Sequence, residues 1–74
     1  MSAENAVILF HASAHALRAE KVLQRAGIEC KLIPVPRHLS SDCGVCLWVA
    51  RAQAEVARQA IEQARVAVAG VHDA

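Results

Sequence analysis

Apolar and polar residues follow one another along the chain in blocks that predict alternating strands and helices. Residues 6–10, AVILF, form a continuous apolar run of the length of a central strand covered on both faces. Residues 14–26 then carry apolar positions at helical spacing. Ser13 is predicted as the N-cap of this helix and Gly27 as the residue that ends it. The predicted buried stripe of the helix is Ala16, Ala19, Leu23 and Ala26.

The middle of the chain predicts an edge strand, a long loop and a third strand. Residues 28–32 alternate strictly, so that Ile28, Cys30 and Leu32 face the core, which is typical of a half-exposed strand. Pro34 and Pro36 end that strand and stiffen the chain that follows, because proline fixes φ and lacks an N–H. Residues 34–44 are predicted as loop and residues 45–49 as an apolar strand.

The last third of the chain predicts a second helix and a short fourth strand. Residues 53–64 are rich in Ala, Glu, Gln and Arg, which favour helix. Residues 66–69 could continue that helix, but their two β-branched valines favour a strand. The predicted buried stripe of the second helix is Val56, Ala60 and Ala64, with Ile61 beside it.

This element order predicts an α+β fold of the ferredoxin-like βαββαβ split-sandwich type. Right-handed crossovers give a four-stranded antiparallel sheet in the order 4-1-3-2, with both helices on one face. A chain of 74 residues is expected to form one domain, 1–74, with an ordered core over about residues 6–71.

The predicted strand order places the long loop beside the start of the first helix. The first and third strands are neighbours, so Cys43 and Gly44 are expected at the sheet end where the first helix begins. The amides of that first turn and the positive end of the helix dipole favour an anion there. The side chains expected nearby are His11, Ser13 and His15.

Charge and composition narrow the classes of partner. The net charge is +1 with acids and bases interspersed, so no basic tract indicates nucleic acid. Residues 6–10 are too short an apolar run to span a bilayer, and residues 1–5 lack the basic and apolar segments of a signal peptide. We therefore expect a cytoplasmic protein whose cysteines are reduced.

Cys43 is the residue on which the predicted chemistry depends. A thiol at the end of a polar, proline-stiffened loop is accessible to a partner. Arg37, His38 and the helix terminus would lower its pKa, whereas the adjacent Asp42 would raise it. Gly44 leaves room for close approach to the sulfur. The alternative is a loop cysteine without a role.

Cys43 and Cys46 also form a C-x-x-C pattern, which is typical of redox or metal chemistry. A strand follows Cys43 where a redox motif normally has a helix. A Cys/His metal site would have to draw on His11 and His15, because no second C-x-x-C exists. Cys30 is predicted to be a small core residue.

The face of the sheet away from the helices is predicted to be apolar, because residues 6–10 are apolar at every position. Trp48 shares a face with Cys46 and Ala50. Such a face favours a homodimer or a docked partner protein, unless the terminal segments fold over it.

The stretches FHASAHALRAEKVLQRAGI (residues 10–28) and LIPVPRHLSSDCG (residues 32–44) resemble a small family described as selenium/sulfur (Se/S) carrier proteins. The resemblance covers about residues 6–71, and its most specific part is the loop that leads to Ser-x-x-Cys-Gly. It implies a carrier, not an enzyme, that holds a persulfide or selenyl-sulfide on Cys43 and exchanges it with donor and acceptor proteins, without a cofactor.

The resemblance also implies roles for residues around the thiol. Arg37, Ser40 and Ser41 would support the bound atom, and Cys46 stands where the family usually has a small non-thiol residue, which suggests a resolving thiol. A Cys/His metal-binding module built on Cys43 and Cys46, and a non-catalytic interaction domain, remain as alternatives.

Overall fold

The computed structural model describes residues 4–39 and 44–73. Its elements run in the predicted order, strand, helix, two strands, helix, strand. No helix in this part of the chain is both long and apolar enough to cross a membrane. The strands and helices are β1 (Asn5–Leu9), α1 (Ser13–Arg25), β2 (Cys30–Pro34), β3 (Val45–Ala50), α2 (Ala54–Gln63) and β4 (Gly70–Asp73), with a 3₁₀ turn at Arg51–Gln53 before α2.

The four strands form one antiparallel sheet in the order β2-β3-β1-β4. This confirms the α+β class and the predicted strand order, with β2 at one edge of the sheet and β4 at the other. The register aligns Leu9 of β1 with Cys46 of β3, and Ile33 of β2 with the same Cys46. Val7 lies opposite Trp48 on one side and opposite His72 on the other.

Both helices pack on one face of the sheet and enclose the main core. Ala6 and Ile8 of β1, and Phe10 directly after it, point into this core and are fully buried. The helices and β3 supply most of the remaining buried positions. These are Ala16, Ala19, Leu23, Leu47, Val49, Ala57 and Ile61.

The opposite face of the sheet, called here the open face, carries a smaller apolar cluster. Val7, Leu9 and Cys46 are buried in it. Among the described residues, the start of the long loop covers this cluster, because Val35 and Leu39 pack against it together with Ile33 of β2. The apolar residues of β1 on this face are therefore buried within the domain.

The ends of α1 differ in how well the sequence predicted them. The N-cap is Ala12, in extended backbone, and no side chain caps the helix. Ser13 is the first helical residue, so its predicted capping role is wrong. Gly27 ends the helix with a φ of 75°, as predicted, and Ile28 N–H donates to the Leu23 carbonyl at 2.9 Å.

Four other predictions are corrected by the structure. The fourth strand is Gly70–Asp73 and not residues 66–69, where Val66 and Val68 pack on the core as a connecting segment. Val56 is 55% exposed, and the buried residues of α2 are Ala57 and Ile61. Ala26 is exposed as the C-cap of α1. The edge strand β2 is shifted toward the loop by two residues, and its last residue is Pro34.

Candidate functional site

The long loop between β2 and β3 is closed at its base by backbone pairing. Pro34 lies opposite Val45 in the sheet, and the Val35 N–H donates to the Gly44 carbonyl at 3.2 Å. The first part of the loop then turns, with the Leu39 N–H donating to the Pro36 carbonyl at 3.0 Å. The loop therefore leaves and re-enters the sheet at one fixed point.

The predicted carrier thiol, Cys43, belongs to the part of this loop that the structure does not describe. Ser40, Ser41, Asp42 and Cys43 lie outside the described residues, so their predicted roles stay predictions. The described neighbours on either side are Leu39, which packs on the open-face cluster, and Gly44, which is exposed at the start of β3. Apart from its chain neighbours, no described residue has an atom within 4 Å of the position that a Cβ would occupy at Gly44.

The end of the loop and the start of α1 share one end of the sheet. Because Leu9 pairs with Cys46, the strand β1 ends where β3 begins, and the chain passes through Phe10 and His11 into α1. His11, Ser13 and His15 are all exposed at this end. The sheet thus brings these three residues to the same end of the molecule as Gly44.

The first turn of α1 offers amides for an anion. The N–H groups of His15 and Ala16 donate to the Ala12 carbonyl, whereas no side chain in residues 4–39 and 44–73 caps the turn. The uncapped amides belong to Ser13 and Ala14. Since the positive end of the helix dipole adds to them, this corner favours an anion.

Arg37 lies in the loop between β2 and β3. It is exposed, as is the adjacent His38, and none of the ion pairs found in the described part of the chain includes Arg37. Its predicted role as a partner for an anion at the loop stays a prediction.

Cys46 is buried on the open face, which separates it from the exposed corner. Its Sγ lies 3.9 Å from the Pro34 carbonyl oxygen, and its side chain packs with Val7 and Leu9. Val35 and Leu39 cover the same cluster. A reaction at Cys46 therefore requires the start of the loop to lift from the sheet.

The described residues do not assemble a metal site. No group of three or more His, Cys, Asp or Glu side chains within residues 4–39 and 44–73 is placed to hold a metal ion. Cys46 points to the open face, whereas His15 is exposed on α1, on the other side of the sheet.

Cys30 has the structural position that the alternation predicted. It is half-buried and packs against the main core, with its Sγ 4.0 Å from the Glu20 carbonyl oxygen. Burial, and secondly the negative charge of Glu20, raise the pKa of its thiol. Both effects disfavour the thiolate, which is the form that reacts.

Sequence reasoning missed a polar row across the open face. The row crosses the sheet through paired positions on neighbouring strands, in the order Lys31, Trp48, Val7 and His72. The Lys31 ammonium lies 5.2 Å from the centre of the Trp48 ring. A Cβ at Gly70 would lie 3.1 Å from the His72 Nε2 atom, so the imidazole leans over this glycine. Placing the fourth strand at Gly70–Asp73 would have put His72 on this face.

These observations define a small α+β domain in which the loop between β2 and β3 rejoins the sheet at the end where α1 begins. The chain belongs to the family described as "Putative Se/S carrier protein-like", whose model matches residues 5–73. The match spans the sheet, both helices and the loop.

A curated relative is the "Uncharacterized protein YtiA" of Escherichia coli (strain K12). It is 35% identical to this chain over 43 residues, which cover 58% of this chain and 51% of the relative. The chain thus spans about half the length of the curated relative that it matches. No solved structure matches the chain, so the ferredoxin-like name for the fold stays a prediction from topology.

Proposed function

We propose that this protein carries sulfane sulfur or selenium on Cys43 and passes it between partner proteins. The observation that carries the proposal is the family match over residues 5–73, which spans the loop as well as the fold. The placement of Gly44 at the sheet end where α1 begins supports it, because this end supplies unpaired amides and exposed histidines. The protein then acts in the cytoplasm as a carrier, not as an enzyme, and without a cofactor.

Loading is a thiol exchange that leaves the oxidation states balanced. The Cys43 thiolate attacks the terminal sulfur or selenium of a donor persulfide or selenyl-sulfide, R–S–SH or R–S–SeH. The bond between that atom and the donor sulfur breaks, and the electron pair leaves with the donor as its thiolate. Cys43 then holds the atom as –S–SH or –S–SeH, and unloading to an acceptor thiol is the same step in reverse.

The surrounding residues have supporting roles in this proposal. The Ser13 and Ala14 amides would donate to the bound anion, and His11 or His15 would supply a proton. Gly44 keeps the approach to the sulfur open. The loop residues that would hold the charged atom in place are Arg37, Ser40 and Ser41.

Cys46 offers a second way to release the sulfur or selenium atom from Cys43. With the loop lifted, its thiolate would attack the Cys43 sulfur, forming a Cys43–Cys46 disulfide and expelling hydrogen sulfide or hydrogen selenide as the anion. A dithiol reductant would then restore both thiols. The burial of Cys46 makes this step dependent on opening of the loop.

Mass spectrometry of the intact protein tests the carrier role. We expect wild-type protein incubated with a cysteine desulfurase and cysteine to gain the mass of a sulfur atom, which peptide mapping assigns to Cys43. The variants Cys30→Ser and Cys46→Ser should still gain it, whereas Cys43→Ser should not. Equal labelling of Cys43→Ser and wild type would contradict the proposal.

A further inference from the structure

The outward side of α1 carries a stripe of basic residues. Arg18, Lys21 and Arg25 are spaced three and four residues apart, which places them on one side of a helix. All three are exposed, opposite the buried residues of the helix. The single acid of α1, Glu20, is half-buried and lies near Cys30 at the β2 side, so it does not neutralise the stripe.

These basic residues have no ionic partner within the described part of the chain. The ion pairs found there involve Arg51 with Asp73, and Arg58 with Glu55 and Glu62. The helix α2 therefore neutralises its own arginine, whereas α1 leaves three cations facing solvent. This difference between neighbouring helices leaves α1 with a positive surface that an acidic partner would complement.

An apolar side chain lies beside the stripe. Leu17 is 49% exposed and stands one helical turn before Lys21. An exposed leucine bordered by basic side chains provides the small apolar centre and charged rim of a protein interface. The name α1 docking stripe is used below for Leu17, Arg18, Lys21 and Arg25.

The docking stripe fits a protein better than a nucleic acid or a membrane. Phe10 is buried in the core and Trp48 lies on the open face, so α1 presents no Phe, Tyr or Trp ring on which bases could stack. One half-exposed leucine is also too small an apolar face for insertion into a lipid surface.

We infer that the α1 docking stripe binds an acidic surface of the protein that donates sulfur or selenium to Cys43. The inference rests on the proposed function, whose partner it describes. The stripe starts within the second turn of α1, and α1 begins at the sheet end that holds Gly44. The N-terminal end of the stripe therefore points toward the sheet end at which Gly44, the residue after Cys43 in the sequence, precedes β3.

The test compares a protein donor with a small one. The variant Arg18→Gln, Lys21→Gln, Arg25→Gln removes the three charges with residues that favour helix. A matched control, Ala52→Glu, Gln53→Glu, Gln59→Glu, changes the net charge by the same amount at exposed positions around α2. Each protein is loaded from a cysteine desulfurase persulfide and, separately, from glutathione persulfide, and circular dichroism checks the fold.

We expect the α1 variant to lower kcat/KM for loading from the desulfurase by about tenfold or more at low salt, and by less at high salt. Loading from glutathione persulfide should not change, and the control variant should behave like wild type with both donors. An equal loss in the control variant, or no loss in the α1 variant, would overturn the inference.

The remaining outcomes separate this inference from the carrier role. Loading of wild type by glutathione persulfide alone would overturn the inference and leave the carrier role intact. If neither donor loads Cys43, the proposed function fails, and fluorescence anisotropy of Cys43→Ser binding to the desulfurase decides the docking question by itself. Sedimentation can also compare the mass of wild type with that of the α1 variant. A lower mass for the variant would show that the stripe pairs two copies of this chain, and this result would also overturn the inference.

Discussion

Arg65 ends α2 with a φ of 64°, a backbone conformation that glycine adopts readily and that arginine adopts at a cost. The Val66 N–H donates to the Ile61 carbonyl at 3.2 Å, which is the same closing hydrogen bond that Gly27 allows at the end of α1. The two helices thus end alike, although only one of them has the residue suited to this turn. The sequence signal of a terminal glycine therefore located the end of α1 and was absent for α2.

Replacing Arg65 with glycine should stabilise the protein. Arg65→Gly removes the contact between Cβ and the carbonyl oxygen in left-handed backbone, so we expect the free energy of unfolding to rise by about 1 kcal/mol. Urea denaturation followed by Trp48 fluorescence measures it. Gly27→Ala is the matched control and should lower the same quantity by a similar amount, because its φ is 75°. Stabilisation by Gly27→Ala would contradict this account of both turns.

Cys30 gives the protein a pH dependence of stability in the alkaline range. Burial and the Glu20 charge raise the pKa of this thiol above its ordinary value of 9.0. The unfolded chain ionises this thiol near the ordinary value, whereas the folded protein keeps it protonated to higher pH. The contribution to stability is therefore complete below pH 9 and is lost as the pH rises through the folded pKa.

Comparison of wild type with Cys30→Ala isolates this contribution. We expect the free energy of unfolding of wild type to fall more steeply above about pH 9 than that of the variant. Urea denaturation at a series of pH values measures both curves, and Glu20→Gln should reduce the difference between them. Parallel curves for wild type and Cys30→Ala would show that the folded and unfolded thiols ionise alike.

Among the elements, the strands were easier to predict than their faces and ends. The continuous apolar run of β1 and the alternation of β2 indicated both strands, and their neighbours follow from right-handed crossovers. The fourth strand was placed too early, because Val66 and Val68 have the β-branched side chains of a strand and pack on the core as one would. The paired segment Gly70–Asp73 begins with a glycine and is mostly polar. Its pairing with β1 depends on tertiary contacts that local propensity does not contain.

Local sequence also failed to predict which side of α2 is buried. Val56 was assigned to the buried stripe because it is apolar, yet it is exposed, and the smaller Ala57 is buried in its place. An alanine-rich helix offers several stripes of similar hydrophobicity, so the residues of the sheet decide which one faces inward. The candidate site had a related limit, because strand order predicted the end of the sheet at which the loop lies but not that the loop would cover Cys46.

The loop element can be tested through the reactivity of Cys46. In a Cys30→Ser, Cys43→Ser background, Cys46 is the remaining thiol, and we expect a soluble disulfide reagent to label it slowly because it is buried under the loop. Adding Leu39→Ala should raise the labelling rate, since Leu39 packs against this cluster. Leu17→Ala, at an exposed position, serves as the control and should leave the rate unchanged. Fast labelling without Leu39→Ala would mean that the loop does not cover Cys46.

At the scale of the whole molecule, the two faces of the sheet contribute unequally to stability. Among residues 4–39 and 44–73, the helix-covered face holds twelve buried residues in its cluster, and the open face holds three. A domain of this size buries a smaller fraction of its surface than a larger one does, so its margin of stability is narrow. Rearranging the residues that cover the open face therefore costs less free energy than rearranging those that cover the helix face.

Truncation within the larger cluster should be severe. Leu23→Ala leaves a cavity where α1 packs on the sheet, and we expect the free energy of unfolding to fall by about 3 kcal/mol. Urea denaturation followed by helical circular dichroism measures this fall in the free energy of unfolding. Leu17→Ala on the exposed side of the same helix removes the same atoms and should change the free energy by less than about 0.5 kcal/mol. Equal effects of the two substitutions would contradict the assigned faces of α1.

The hydrogen bond from Val35 to Gly44 and the pairing of Pro34 with Val45 close the base of the loop independently of what lies between them. The length of the loop is therefore separated from the register of the sheet. Residues could be inserted or removed beyond Leu39 without shifting β3 against β1, because loop closure depends only weakly on length. What such a change would alter is the path by which the chain returns to Gly44, so the loop can change in length while the sheet keeps its register.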